Sequence, residues 1–282
     1  MVIASNRRDE LLECLDSVQR HAAMPVETIF VDNGSVDRTA ESVAAAFPDV
    51  VVLRRPVNEG QPARNHALRI ARGRYRMFLD SDARLTANAL PLLVEALDGS
   101  PTTGSVVPRL VYPDGRLQLS TRRYPPFMLP VLRFPYVASY FERRPIIRRH
   151  LMADDPHDRR RPVEYAINAA NLFRAEAQEA VGELDKRIWF GHEDADWCFR
   201  IRRAGYTVEY VPEAVVVHHY QRAAAARPFS WHTFRFLLAH FYFQAKWLAH
   251  RRQLKRDGAR MDQEAGEVAG RPVALADGRS PH

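Results

Sequence analysis

The feature that most constrains the fold is a strict alternation along the first 111 residues. Apolar runs too short for a helix alternate with segments of helical periodicity. "MVIAS", "VETIFVD", "VVVL", "YRMFLD" and "GSVVPRLV" are the runs. Between them stand "DELLECLDSVQRH", "VDRTAESVAAAF", "QPARNHALRIARG" and "TANALPLLVEALDG". In the first of these helical segments Leu11, Leu12, Leu15 and Val18 fall on one face. Strands separated by single helices pair in parallel through right-handed crossovers. The expectation is an α/β chain with a mostly parallel sheet flanked by helices. Ligands of such sheets bind beyond the carboxyl ends of the strands.

Two acidic turns occupy such ends. "VDNGS" follows one apolar run and "LDSD" another. Asp80 and Asp82 lie two residues apart, on one face of a regular strand, and the turn lets them converge. Two carboxylates side by side repel unless a cation lies between them, and Mg²⁺ or Mn²⁺ suits oxygen ligands. The alternative is that both acids serve a turn or cap the next helix. Asp32 either accepts hydrogen bonds from a nucleobase or stabilises the Asn33-Gly34 turn. "NEGQPARNHAL" places Asn58 and Gly60 in a loop and Arg64 at a helix start. A helix N-terminus with an arginine suits a diphosphate, although most single arginines are merely exposed.

Further along, "FGHEDADWCFRIRRAG" opens a helix with Glu193, Asp194 and Asp196. Acids are favoured there by the helix dipole, so they read either as caps or as a base facing the cleft. Asp196 and Arg200 are spaced to pair on the surface, and Trp197 and Ile201 share a core face. "PEAVVVHH" ends a strand on His218 and His219, either of them a candidate metal ligand. Dinucleotide fingerprints and P-loops are absent, which argues against NAD, FAD and P-loop NTPase chemistry.

The bulk numbers set the frame. A chain of 282 residues with 46% hydrophobic content supports one large domain or two small ones. No secretory leader and no membrane-spanning run are read from the sequence. Cys14 and Cys198 lack ligand spacing and read as buried thiols in a reducing compartment. The net charge of +7 calls for an anionic partner.

Taken in order, "VDNGSVDRT", "NEGQPARNHAL", "GRYRMFLDSDA", "GHEDADWCFRIRRAGY" and "VPEAVVVHH" resemble the family-2 glycosyltransferases of GT-A fold. Within them the chain looks most like the bacterial rhamnosyltransferase-type enzymes, "YPDGRLQLSTRRYP" included. The resemblance covers residues 1–220. It implies an inverting transfer from a nucleotide-sugar, with dTDP-rhamnose or a UDP-sugar favoured as donor. The acceptor it implies is a hydroxyl of a cell-surface glycan or a lipid-linked molecule. It assigns Asp194, with Glu193, to the general base, and Ser5, Asn6, Asp32, Asn58, Gly60, Arg64, Asp80 and Ser81 to the donor. Asp80, Asp82 and His218 are assigned to a divalent cation, Mn²⁺ or Mg²⁺. Where the family usually carries a Tyr-Asn pair after the first strand, this chain has Ser5-Asn6.

The expected organisation is a transferase domain over 1–220 with a variable, partly helical acceptor-side insertion at 112–161. An aromatic amphipathic helix follows within 221–255, then a disordered tail over 256–282. That helix reads either as core or as a segment lying in a membrane interface, and the expected setting is cytoplasmic, with or without peripheral membrane contact. A metal-dependent nucleotidyltransferase or phosphohydrolase is the alternative reading. A basic protein binding nucleic acid is another, and for it the sequence offers no motif, so no nucleic-acid partner is expected.

Overall fold

In the computed structural model, residues 1–132, 144–219, 230–250 and Arg256 are described. The alternating pattern is realised as β1 (Val2–Ala4), α1 (Arg8–His21), β2 (Ile29–Asn33), α2 (Thr39–Ala46) and β3 (Val51–Arg55). After them come α3 (Arg64–Leu68), β4 (Tyr75–Asp80), β5 (Ala83–Leu85), α4 (Ala89–Asp98) and β6 (Thr103–Val111). Next are β7 (Leu117–Gln118), β8 (Thr121–Arg122), α5 (Leu129–Leu132), α6 (Pro145–His150), β9 (Arg161–Pro162), β10 (Tyr165–Ala166) and β11 (Ala170–Arg174). The last described elements are α7 (Ala175–Val181), α8 (Glu193–Arg203), β12 (Thr207–His218) and α9 (Trp231–Trp247).

The main sheet has the order β3-β2-β1-β4-β11-β6-β12-β5. β3, β2, β1 and β4 pair in parallel, as do β6 and β12. β11 runs antiparallel between β4 and β6, so β4, β6 and β12 all point the same way. One edge of the sheet therefore collects the carboxyl ends of β1, β2, β3, β4 and β12. β2 is buried along its whole length, as a central parallel strand requires.

Helices cover both faces. Leu11, Cys14 and Leu15 of α1 pack with Phe30, Val43, Leu79 and Val216. On another face Phe78, Phe173 and Trp197 form an aromatic cluster with ring centroids 4.8–5.4 Å apart. Each such buried ring contributes about 1.5–3 kcal/mol through removal from water. This cluster fixes α8 against β4 and β11, and so places the acids at the α8 N-terminus. Trp197 and Ile201 are fully buried, as their spacing implies.

Several expectations are corrected. The segment over 61–73 is a 3₁₀ turn at Gln61–Ala63 followed by the short α3, not a helix running to Gly73. After Leu68 the chain has only a few residues in which to reach β4, and a longer helix would overshoot it. The Asp196–Arg200 pair forms, Nε to Oδ2 at 2.9 Å, but Asp196 is buried rather than on the surface. Neither Asp80 nor Asp82 caps α4, whose N-cap is Asn88 with no side-chain hydrogen bond.

The described residues of 112–161 include α5 and α6, and the segment is joined to the sheet: β7 pairs with β6 and β9 with β12. Of the tail expected to be disordered over 256–282, Arg256 is described, and is helical, while 257–282 lie outside the described residues, as do 220–229. Among the described residues no helix is long and apolar enough to cross a membrane.

Candidate active site

The acidic turn is built first. β4 ends on Asp80, a tight turn carries the buried Ser81, and Asp82 precedes β5. β5 pairs antiparallel with the far end of β12, opposing Ala83 to His218. This register brings His218 Nε2 to 3.3 Å from Asp82 and 4.0 Å from Asp80. The His218 ring is buried, and its Nδ1 lies 2.7 Å from Gln118 Oε1. An amide oxygen can only accept, so Nδ1 carries a hydrogen; Nε2, aimed at the two acids, donates to Asp82 when the ring is protonated and has a lone pair for a cation when it is neutral. His219 does not join the cluster by its ring; its backbone N–H donates to the Asp82 carbonyl at 2.9 Å.

Electrostatics follow the geometry. Burial pushes His218 down, but the hydrogen bond to Asp82 and the charges of Asp80 and Asp82 outweigh it and raise its pKa. Burial likewise opposes ionisation of Asp82, yet His218 and Arg7 hold it below the ordinary carboxylate value. Among the described residues, Asp80, Asp82 and His218 offer ligand atoms that all lie within 4.8 Å of one another. Two carboxylates and an imidazole whose ring is oriented by the Gln118 amide fit a divalent cation such as Mn²⁺ or Mg²⁺.

Arg64 fixes the position of Asp80. It is 1% exposed, with one Nη donating to Asp80 and the other to Gln61, and its guanidinium lies 5.2 Å above the Phe78 ring. It is therefore not the exposed arginine that a lone residue at a helix start would suggest. The donation to Asp80 is charge-assisted and holds that carboxylate in one orientation.

The neighbouring loops are tied to one another. Asp32 accepts the Ser35 N–H at 3.0 Å, the turn-stabilising contact. The Ser35 hydroxyl accepts from the Asn6 N–H, and Asn6 Oδ1 accepts the Val36 N–H at 2.8 Å, which joins the Ser5-Asn6 turn to the Asp32 turn. Asn33 reaches across to the next loop, donating to Asn58 Oδ1 and to the Gly60 carbonyl and accepting the Glu59 N–H. Asn58 Oδ1 also accepts the Gly60 N–H. Gly60 has φ +73°, and a Cβ there would sit 2.2 Å from the Trp189 carbonyl. Only glycine lets the two chains approach so closely.

Glu193 and Asp194 open α8 after His192, which sits at φ +75°. Asp194 accepts the Ala195 N–H at 2.7 Å, while Glu193 is buried and its Oε2 has no hydrogen-bond partner. The dipole suggests a fully ionised base; burial outweighs it. Desolvation pushes Asp194 up to about 6. Desolvation, then the Asp194 charge, pushes Glu193 up to about 8. The charge of Asp80 acts in the same direction on both, which places the two acidic turns within electrostatic reach.

A wall of α9 supports this turn. His240 Nδ1 lies 3.0 Å from His192 Nε2, and its Nε2 lies 2.9 Å from the Phe127 carbonyl. Asp196 accepts from Trp247 Nε1 at 3.0 Å and from Lys246 at 2.7 Å. Sequence reasoning missed Asn33, Gln118, Trp189 and His240. Only Trp189, in the aromatic pair just before "GHEDAD", gave any signal.

Comparison with known proteins adds the following. The sequence model described as "Glycosyl transferase family 2" matches residues 1–157. The N-acetylglucosaminyl-diphospho-decaprenol L-rhamnosyltransferase of Mycobacterium tuberculosis is 27% identical over 237 residues, covering 77% of this chain and 74% of that protein. The solved mannosyltransferase PcManGT of Pyrobaculum calidifontis, in complex with GDP-Man and Mn²⁺, superposes with TM-score 0.57 at 22% identity. The match covers 87% of this chain and 63% of that one. Staphylococcus aureus TarS, residues 1–349, gives TM-score 0.55 at 15% identity over 87% of this chain and 72% of the other. The shared fold with these structures is GT-A.

Proposed function

The chain belongs to glycosyl transferase family 2, and from that premise we propose that it is an inverting transferase moving a sugar from a nucleoside-diphosphate donor to an acceptor hydroxyl. The observation that carries the reading is one juxtaposition at the carboxyl edge of the sheet. A metal-capable cluster of Asp80, Asp82 and His218 stands within electrostatic reach of the Glu193–Asp194 turn.

The donor occupies the edge formed by the β1, β2 and β3 turns. Asp32, with Ser5 and Asn6 beside it, contacts the base, while Asn58 and Gly60 shape the neighbouring loop. Asp80 and Ser81 face the diphosphate, and Arg64 keeps the Asp80 carboxylate in place. Asp80, Asp82 and His218 would hold a divalent cation, which when bound would supply countercharge for the departing diphosphate.

Asp194 accepts the proton of the acceptor hydroxyl as its oxygen attacks the anomeric carbon. The bond from that carbon to the diphosphate oxygen breaks in the same displacement, and the nucleoside diphosphate leaves. With a single base on the attacking side, the configuration inverts. Glu193, neutral below about pH 8, spares Asp194 a second adjacent negative charge.

The choice of sugar and acceptor is proposed from relatives. The mycobacterial relative is named for transfer of L-rhamnose to a lipid-linked diphosphate sugar. This favours dTDP-rhamnose, then a UDP-sugar, as donor, and a lipid-linked or cell-surface glycan as acceptor. The segment 112–161 lies on the acceptor side in this reading.

Calorimetry with UDP, dTDP, GDP and CMP, each with and without Mn²⁺ or Mg²⁺, tests the proposal. The expected result is metal-dependent binding of one diphosphate by the wild type and its loss in Asp82→Ala. A folded protein that binds none of the four would overturn the reading.

A further inference from the structure

α9 has two apolar faces, and only one of them is packed against other described residues. Ala239, His240, Phe243, Gln244 and Trp247 are buried against α8 and the segment around Tyr124. The opposite face carries Trp231, Phe234, Leu238 and Phe241, and Leu248 in the turn just after α9 continues it, each 46–65% exposed. Phe127 and Met128, also about half exposed, extend this face beside Phe241, the Phe127 and Phe241 rings lying 5.8 Å apart. A continuous apolar surface of this size on a folded chain marks an interaction site.

Charge identifies the partner. From residue 214 to 256 the chain has eight Lys and Arg and not one Asp or Glu, while the whole chain has a net charge of +7. All of the cationic excess therefore resides in the segment containing α9. Arg235 sits between the Trp189 and Trp231 rings, 4.2 and 5.3 Å from their centroids, at the edge of the apolar stripe. Lys246 is engaged by Asp185 and Asp196 on the buried side; the other seven cations of this segment, together with its exposed aromatic and aliphatic side chains, match the boundary between anionic headgroups and acyl chains. A nucleic acid would not call for the exposed Leu238, Phe241 and Leu248.

We propose that the outer face of α9, with Phe127 and Met128, docks on an anionic lipid bilayer. The helix then lies in the interface plane, because it is neither long nor apolar enough to span. Its inner face contacts the turn that presents Asp194, through the His240–His192 pair and through Phe236 packed on Gly191. The bilayer is thus about one helix diameter, ~10 Å, from the acidic turn. A lipid-anchored acceptor, the part of the inference that rests on the proposed transfer reaction, would present its headgroup on that side.

The test is flotation of the full chain with vesicles of neutral phosphatidylcholine and with vesicles containing about 30 mol% phosphatidylglycerol. Binding to the anionic vesicles should exceed binding to the neutral ones by about tenfold or more, and should fall at high salt. Combined Phe234→Ser, Leu238→Ser and Phe241→Ser should lower it by about tenfold, with metal-dependent nucleotide binding retained as proof of folding. Nucleotide binding without vesicle binding would overturn this inference alone. Vesicle binding without nucleotide binding would instead sink the transferase reading. A wild-type dimer that the triple variant dissociates, with no affinity for vesicles, would assign the face to a second copy. Salt-sensitive RNA retention unaffected by the triple variant would also overturn the lipid assignment.

Discussion

A carboxylate that accepts a proton must first be ionised, and it works best when its pKa lies near the working pH. Burial pushes Asp194 up to about 6, so the group is mostly charged at neutral pH yet more basic than an exposed aspartate. Because the deprotonated form is the active one, kcat/KM should rise with pH and level off above about 6. Below that it should fall about tenfold per pH unit. Asp194→Asn should lower kcat by about 10²–10⁴-fold and leave nucleotide affinity unchanged. A pH–rate profile and a binding isotherm on the same variant check both halves. If the Asn variant turned over normally, the base would have to be sought elsewhere. Asp80, Asp82, Asp194 and His218 were readable as candidates, because each stands at or just past the end of a strand or at a helix start. Gln118 behind His218 was not, nor was Asn33 bridging to the 58–60 loop. These are ordinary polar residues whose partners lie far away in sequence, and local pattern carries no information about such contacts.

The helix α9 is where a sequence reading and a packed structure divide. Its spacing supports a core helix and an interfacial helix equally, and the fold uses one face for the first role and leaves the other exposed. The buried face has a specific task at α8. Asp196 is wholly buried and receives Arg200, Lys246 and Trp247 Nε1, so one carboxylate joins the helix of the candidate base to the C-terminal helix. Removing it takes the carboxylate from the largely buried Arg200 and the acceptor from the Trp247 indole N–H, while Lys246 keeps Asp185 at 2.7 Å. Asp196→Ala should therefore destabilise the fold by about 3–5 kcal/mol. At temperatures where the variant stays folded, kcat should fall more than the KM for the donor, since α8 is loosened and the donor loops are not. Thermal unfolding and steady-state kinetics test this together. An unchanged melting temperature would show that α9 is not coupled to α8 in solution. The (i, i+4) spacing of Asp196 and Arg200 foretold their pairing, but the burial that gives it consequence comes from Trp247, 51 residues away.

At the scale of the whole molecule, alternation predicted the shared direction of β1, β2, β3, β4 and β6 and the edge at which the two acidic turns stand. It could not predict that β11 would enter antiparallel between β4 and β6, or that β5 would close on β12. Periodicity identifies a strand without naming its neighbour. That closure matters most for the site, because the cluster joins the turn after β4 to the end of β12, residues 80 and 218. A ligand that needs both halves binds only the folded chain and stabilises it by mass action. With Mn²⁺ and the preferred nucleoside diphosphate at about 100 times Kd, the gain is about 2.7 kcal/mol. For a chain of this size, that raises Tm by about 5 °C or more. Asp82→Ala should abolish the rise, whereas Asp194→Asn should keep it, because the first acid holds the donor complex together and the second acts only on the acceptor. Loss of the shift in both variants would mean that Asp194 supports the donor site itself, and the division of labour between the two acidic turns would have to be redrawn.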